Sequence, residues 1–289
     1  MKRILVPTDF SQCASYAANT AIELAKKSKS EVHFLHFMSI PIHWLQLESG
    51  QDKVFPEITA EVNEIKNKLQ ALVNTANDQG VKSEYFLSFN ESSVNIIKHI
   101  QEQLIDLVIM GSHGASGVRE LFIGSNAQRI VRLSPVPVLI LKQELKSLEQ
   151  LELTFVSDFD AESIKPFEQL LSFAELIKAK VNLVYFNTPA YFVDSWEIER
   201  RMESFTFMAG MHLNKSKIID CYVFEDGLVR YTDEQHNPIM AMATHGRHGI
   251  SRVFYGSVTE KAVNHLMVPV LSLKINQGVR EVYLDTMMA

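Results

Sequence analysis

The sequence predicts an α/β protein made of two doubly wound parallel sheets in tandem, each of five strands with helices on both faces. Three observations carry this expectation. The chain has 289 residues, 46% of them hydrophobic, which is enough for more than one buried core. Short apolar runs without alternation recur between stretches of helical period, the pattern of strands covered on both faces. The chain also repeats itself, and each repeat holds one full set of such elements.

The elements follow in order. Ile4 to Val6 reads as a first strand. Ser11 stands at a helix cap, ahead of an apolar face of Ala14, Ala17, Ala18, Ala21 and Ala25 at three- and four-residue spacing. Val32 to Phe37 is the second strand. Pro56 opens a second helix with Ile58, Val62, Ile65, Leu69, Leu72 and Ala76 on one side, and Gly80 ends it. EYFLSF, ending at Phe89, is the third strand, with a helix after it, and Leu107 to Met110 is the fourth. A glycine loop then leads into a helix from about Asn126 to Leu133, and Val136 to Leu141 closes the unit.

The second copy is read by aligning the chain with itself. GSHGASGVRELFIGSNAQRIVRLSPVPVLILK (Gly111 to Lys142) matches ATHGRHGISRVFYGSVTEKAVNHLMVPVLSLK (Ala243 to Lys274), pairing Gly114 with Gly246, Gly124 with Gly256 and Pro137 with Pro269, 132 positions apart. ILVPTDF (Ile4 to Phe10) matches LTFVSDF (Leu153 to Phe159), and VHFLHF matches VNLVYF, both at an offset of 149. The second copy is therefore shorter by 149 − 132 = 17 residues. Matching EYFLSF to DCYVF, ending at Phe224, gives an offset of 135, which places 14 of the missing residues before the third strand and 3, about one helical turn, after it. The expected domains are 1–145 and 150–276, with a tail at 277–289, joined by the polar KQELKSLEQ segment. So short a joint predicts a pseudo-twofold pair, like a homodimer made from one chain.

Composition excludes several functions. Lys+Arg 28 against Asp+Glu 34 gives a net charge of -6, which provides no basic surface for a nucleic-acid backbone. Cys13 and Cys221 lie far apart, each in a segment that reads as helix or strand, so they suggest buried reduced thiols rather than a disulfide or a metal site. No apolar run approaches the roughly 18 residues that span a bilayer, and MKRILVPTDF lacks the apolar stretch of a signal peptide. A cytoplasmic protein is expected.

In a doubly wound sheet, ligands bind beyond the carboxyl ends of the strands, where the strand order reverses. Pro7-Thr8-Asp9 follows the first strand there, and Met110-Gly111-Ser112-His113-Gly114 follows the fourth, continuing to Gly124-Ser125 before a helix. Glycines let an anion approach backbone N–H groups and allow the positive φ that curls a loop into a nest. Ser125, read as an N-cap, would add its hydroxyl, the free N–H groups of the first turn and the helix dipole. Asp9 would lie across the crevice as an acceptor. A tight turn that binds nothing carries the same glycines, and the spacing alone leaves both readings open. The motif is neither a Walker loop nor a GxGxxG turn.

Taken together, PTDFS (Pro7 to Ser11), MGSHG (Met110 to Gly114), G-x2-G-x9-G-S and VPVLILK (Val136 to Lys142) resemble the universal stress protein family in both copies. The resemblance implies a flavodoxin-like or Rossmann-like fold and, in members that keep the glycines, ATP binding. Thr8, Asp9, Met110, Gly111, Gly114, Gly124 and Ser125 match the family positions that hold adenine, ribose and triphosphate, with His113 beside them. Asn126 and Ala127 depart from the usual Val-Thr, removing a hydroxyl at Ala127, and Phe37 would crowd or stack on the base. The second copy keeps Asp158, Gly246, Gly256, Ser257, Val258 and Thr259. There Ala243 replaces the first glycine and Val156 the proline, and a Cβ at a loop that needs positive φ would cost about 1 kcal/mol.

His113, His245 and His248 lack the spacing of a metal site, and a divalent ion such as Mg²⁺ would arrive with the nucleotide. Arg119, Arg129, Arg132, Arg247 and Arg252 give the glycine loops local positive charge. The insertion from Met38 to Phe55 carries Ile42, Trp44 and Leu45, read either as a partner patch or lid or as packing over its own helix. No GxSxG, HExxH or nucleophile–base spacing is present. The leading expectation is an ATP-binding regulatory module in stress, acting through an adenine nucleotide and a protein partner, as an intramolecular pseudo-dimer or a homodimer. A scaffold with vestigial crevices and a weak ATP hydrolase remain open alternatives.

Overall fold

The computed structural model describes residues 1–39, 56–89, 93–112, 125–145, 147–208, 215–244 and 266–274. In the first half, β1 (Arg3–Pro7) leads into α1 (Gln12–Ser28), then β2 (Glu31–Met38), α2 (Pro56–Asp78), β3 (Ser83–Phe89), α3 (Ser93–Glu102), β4 (Leu107–Gly111), α4 (Ser125–Leu133) and β5 (Val138–Leu141). In the second, β6 (Glu152–Val156) precedes a 3-10 turn and α5 (Ile164–Ile177), followed by β7 (Lys180–Asn187), α6 (Ser195–Met208), β8 (Lys215–Asp220), α7 (Phe224–Asp233), β9 (Pro238–Thr244) and β10 (Val270–Lys274).

Local chemistry explains these boundaries. Ser11 caps α1 by accepting from the Ala14 amide at 3.3 Å. The helix ends on Lys29 in the left-handed conformation, φ 55°, and Lys178 ends α5 at the same φ, 149 positions later. All five alanines expected on the apolar face of α1 are buried, so this helix lies close against the sheet. Gly80, at φ 78°, turns the chain after α2.

The strands form one ten-stranded sheet in the order β3-β2-β1-β4-β5-β10-β9-β6-β7-β8. Every neighbouring pair is parallel except β5 and β10, which run antiparallel at the centre. Leu139 faces Leu271, Ile140 faces Val270, and Val138 faces Ser272. Since 139 + 132 = 271, Leu139 meets its own counterpart, and the flanking pairs are exchanged about it. That is the self-complementary pairing of a twofold interface.

Apolar side chains cover both faces. One layer joins α1, α2, α5 and α6 through Ala17, Leu69, Phe167 and Phe205, and α1 touches α5 across the two halves. The other joins α3, α4 and α7 through Ile100, Ile130 and Leu228. The connection read as a polar joint contributes to the core through Leu145 and Leu148, and Leu151 just after it is buried too. Asn237 donates to the carbonyls of Ser147 and Glu149 at 3.4 Å, which further ties the connection down.

One expected register is corrected. The ladder sets His33 against Glu84 and Asn182, the counterpart of His33, against Lys215. The offset at this strand is therefore 215 − 84 = 131, not 135. The shortening before the strand is 149 − 131 = 18 residues, and one residue is gained after it rather than three lost. Phe224 opens α7 instead of closing a strand, and Cys221 lies in the turn before it.

Candidate functional site

Each half has the order 3-2-1-4-5, so the crevice of the first half lies where β1 and β4 part at their carboxyl ends. A chain of side-chain caps builds its β1 lip. The Phe10 amide donates to Thr8 Oγ1 at 3.1 Å, the Ser11 amide to Asp9 Oδ1 at 3.0 Å, and α1 starts on Ser11. These contacts hold Phe10 at φ 64°, a conformation that a bulky residue rarely adopts. Phe159 repeats it at φ 60°, with its amide donating to Ser157 Oγ at 3.0 Å.

Several predicted residues have other partners than expected. The Thr8 hydroxyl supports the turn, and Thr8 is buried. Met110 is a core residue, and Phe37 packs against the same core. Ala127 is also buried there, so its methyl faces the core where a hydroxyl was missed. Gly111 sits where a Cβ would lie 2.8 Å from both the carbonyl carbon and the Cβ of Cys13. Its φ is not in the left-handed region. The glycine is therefore required by the close approach of α1, and the expectation of positive φ is corrected. In the second half a 3-10 turn at Ala161–Ser163 precedes the helix, and Ala243 is buried within β9.

Sequence reasoning missed His36. Its Nδ1–H donates to the Thr8 carbonyl at 2.7 Å, which leaves Nε2 as an acceptor in the neutral ring, and its ring lies 4.8 Å from that of Phe10. The strand position just before Phe37 was the available signal.

The second crevice differs in its electrostatics. Asp158, the counterpart of Asp9, has a buried Oδ1 with no hydrogen-bond partner. Burial, reinforced by the Asp160 carboxylate, pushes its pKa up to about 7, against the pull of backbone N–H groups and Arg201. Burial also raises the Tyr185 phenol, the counterpart of His36. α4 begins at Ser125, followed by Asn126. Of the other predicted residues, His113, Gly114, Gly124, Gly246, Gly256, Ser257, Val258 and Thr259 lie outside the described residues. So do Arg119, Arg247, Arg252, the tail and nearly all of the insertion.

The profile of the Universal stress protein family matches residues 1–142 and 225–274. The chain belongs to the universal stress protein family. The universal stress protein YxiE of Bacillus subtilis is 30% identical over 145 residues, covering 48% of this chain and 98% of the relative. Slr1230 of Synechocystis, also a universal stress protein, is 21% identical and spans 95% of this chain and 100% of its own length, so it runs through both copies. A universal stress protein structure from Archaeoglobus fulgidus superposes with a TM-score of 0.70 at 20% identity, over 95% of this chain and 98% of that one, and so shares the fold.

This universal stress protein also has a depression of about 490 Å³ that no motif announced. Asn187, Thr188, Phe192, Asp220, Cys221 and Tyr222 line it, at the carboxyl ends of β7 and β8. Phe192 and Tyr222 are 67% and 92% exposed, so its rim is aromatic and open to solvent. Gly227 lets α7 pass this site, since a Cβ there would lie 2.7 Å from Cys221 Sγ.

Proposed function

We propose that this universal stress protein binds an adenine nucleotide, ATP with Mg²⁺, in the crevice of the first half and acts as a regulatory module in the stress response. The observation that carries the proposal is the convergence of the capped Thr8-Asp9-Phe10 turn and the end of β4 on the point where the strand order reverses. His36 supplies an acceptor beside the turn, and α4 starts at the glycine motif and presents its first-turn N–H groups.

The assigned contacts are Thr8, Asp9, Phe37, Met110, Gly111, His113, Gly114, Gly124, Ser125 and Asn126, with Thr8 shaping the turn, since its amide donates to the Leu35 carbonyl and its carbonyl accepts from His36. The weaker second site comprises Asp158, Gly246, Gly256, Ser257, Val258 and Thr259. There an Asp158 carboxyl that holds its proton near neutral pH is a poorer acceptor for a ribose hydroxyl. The chain is read as domains 1–145 and 150–276, with no residue assigned a catalytic role. Among the described residues no helix is long and apolar enough to cross a membrane.

Mass spectrometry of protein purified without added nucleotide, followed by calorimetric titration with ATP and Mg²⁺, tests the proposal. Binding should be abolished by Gly124→Asp and less affected by Gly256→Asp. No binding at millimolar ATP would overturn it and leave the scaffold reading.

A further inference from the structure

The amino-terminal ends of β2 and β3, at the opposite end of the strands from the nucleotide crevice, carry a group of side chains that the function above leaves unused. Glu31 and His33 are two apart on β2, so the pleat turns both to the same face. The ladder places Glu84 of β3 directly against His33. One donor atom from each of the three lies within 4.8 Å of the other two.

His33 makes this more than a pair of acids. Its side chain is only 2% exposed. Nε2 is 3.8 Å from Glu31 Oε1, too far for a hydrogen bond, and Nδ1 is buried with no hydrogen-bond partner. An apolar residue would avoid that penalty in a core position. The Phe86 ring lies 4.9 Å from the imidazole, and the His99 ring meets Phe86 edge-on at 4.5 Å, so the imidazole plane is fixed from behind.

The second half provides an internal control. At offsets of 149 and 131, Lys180, Asn182 and Lys215 occupy the positions of Glu31, His33 and Glu84. Asn182 there donates to Glu152 Oε2 at 3.2 Å and is satisfied. The same backbone is thus stable without the acid–imidazole–acid set, and the fold does not require it.

We infer that Glu31, His33 and Glu84 form a binding site for a first-row divalent cation, best matched by Zn²⁺. One imidazole nitrogen, two carboxylate oxygens and a water suit a four-coordinate zinc. A tetrahedral zinc holds its ligand atoms about 3.4 Å apart, so small rotations of both the Glu31 and the exposed Glu84 carboxylates, the former now 3.8 Å from His33 Nε2, close the set. Lys82 Nζ lies 3.0 Å from Glu31 Oε1 but is 73% exposed, a solvated contact that a dication displaces. Arg3, 3.6 Å from Glu31 Oε2, stays to orient the carboxylate. The ion then ties the edge strand β3 to its neighbour.

The test is calorimetric titration of the chelator-stripped full chain with ZnCl₂, alongside thermal melts with and without the metal. One ion per chain should bind and raise the melting temperature. Glu84→Gln and His33→Asn, the latter the residue of the second half, should each weaken binding about 10-fold or more. Lys82→Met should tighten it severalfold by removing the competing ammonium, whereas ion pairs that serve structure alone predict no gain. Absence of saturable uptake at submillimolar Zn²⁺, or uptake that survives both ligand substitutions, would overturn the site. If His33→Asn does not fold, the exposed Glu84→Gln decides by itself.

Discussion

Phe10 and Phe159 hold the same unusual backbone conformation at matched places, and in each case a hydroxyl two residues earlier accepts the phenylalanine amide. Strain kept in both copies belongs to the crevice lip, not to one ligand. Gly111 shows a different constraint, because its missing Cβ leaves room for the start of α1. Gly111→Ala should destabilise the protein by about 1–3 kcal/mol, measured by urea unfolding, whether or not nucleotide is present. Asp158 sets a pH dependence. Its folded-state pKa is raised to about 7, so the folded state binds the proton more tightly than the unfolded chain. Its contribution is complete below the ordinary carboxylate range and is lost as pH rises through about 7. Asp158→Asn should therefore flatten the fall in stability between about pH 4 and 7, and stability profiles of both proteins check this.

At the scale of elements, the alanine face of α1 and the apolar side of α2 were legible because burial demanded a helical period there. The register of β8 was not. KSKIID is an edge strand whose lysines suit solvent and hide its strand character. The apolar run Cys221 to Phe224 took its place in the alignment, yet Tyr222 and Val223 are exposed turn residues. Glycine spacing marked the candidate site, but His36 and the orphaned Asp158 oxygen arise from packing between elements, which no local pattern records. The connection between halves makes a further prediction. Leu148 is 1% exposed, so Leu148→Ala should cost about 2–4 kcal/mol in chemical denaturation, far more than a solvated joint would lose.

For the whole molecule, the central ladder implies that each half carries a self-pairing edge. A fragment of residues 1–145 should present Val138, Leu139 and Ile140 to a second copy and form a symmetric dimer by sedimentation, and Leu139→Asp should keep it monomeric. A monomeric parent fragment would count against the pairing.

That ladder also fixes where the two crevices open. Strands within each half are parallel, and the halves meet antiparallel, so the carboxyl ends of one half point opposite to those of the other. The crevices therefore face opposite rims of one continuous sheet. No single small ligand can span both, and a partner that senses both must reach around the molecule or bind as two bodies. Any cooperation between the crevices has to pass through the shared sheet or through the α1–α5 layer that joins the halves.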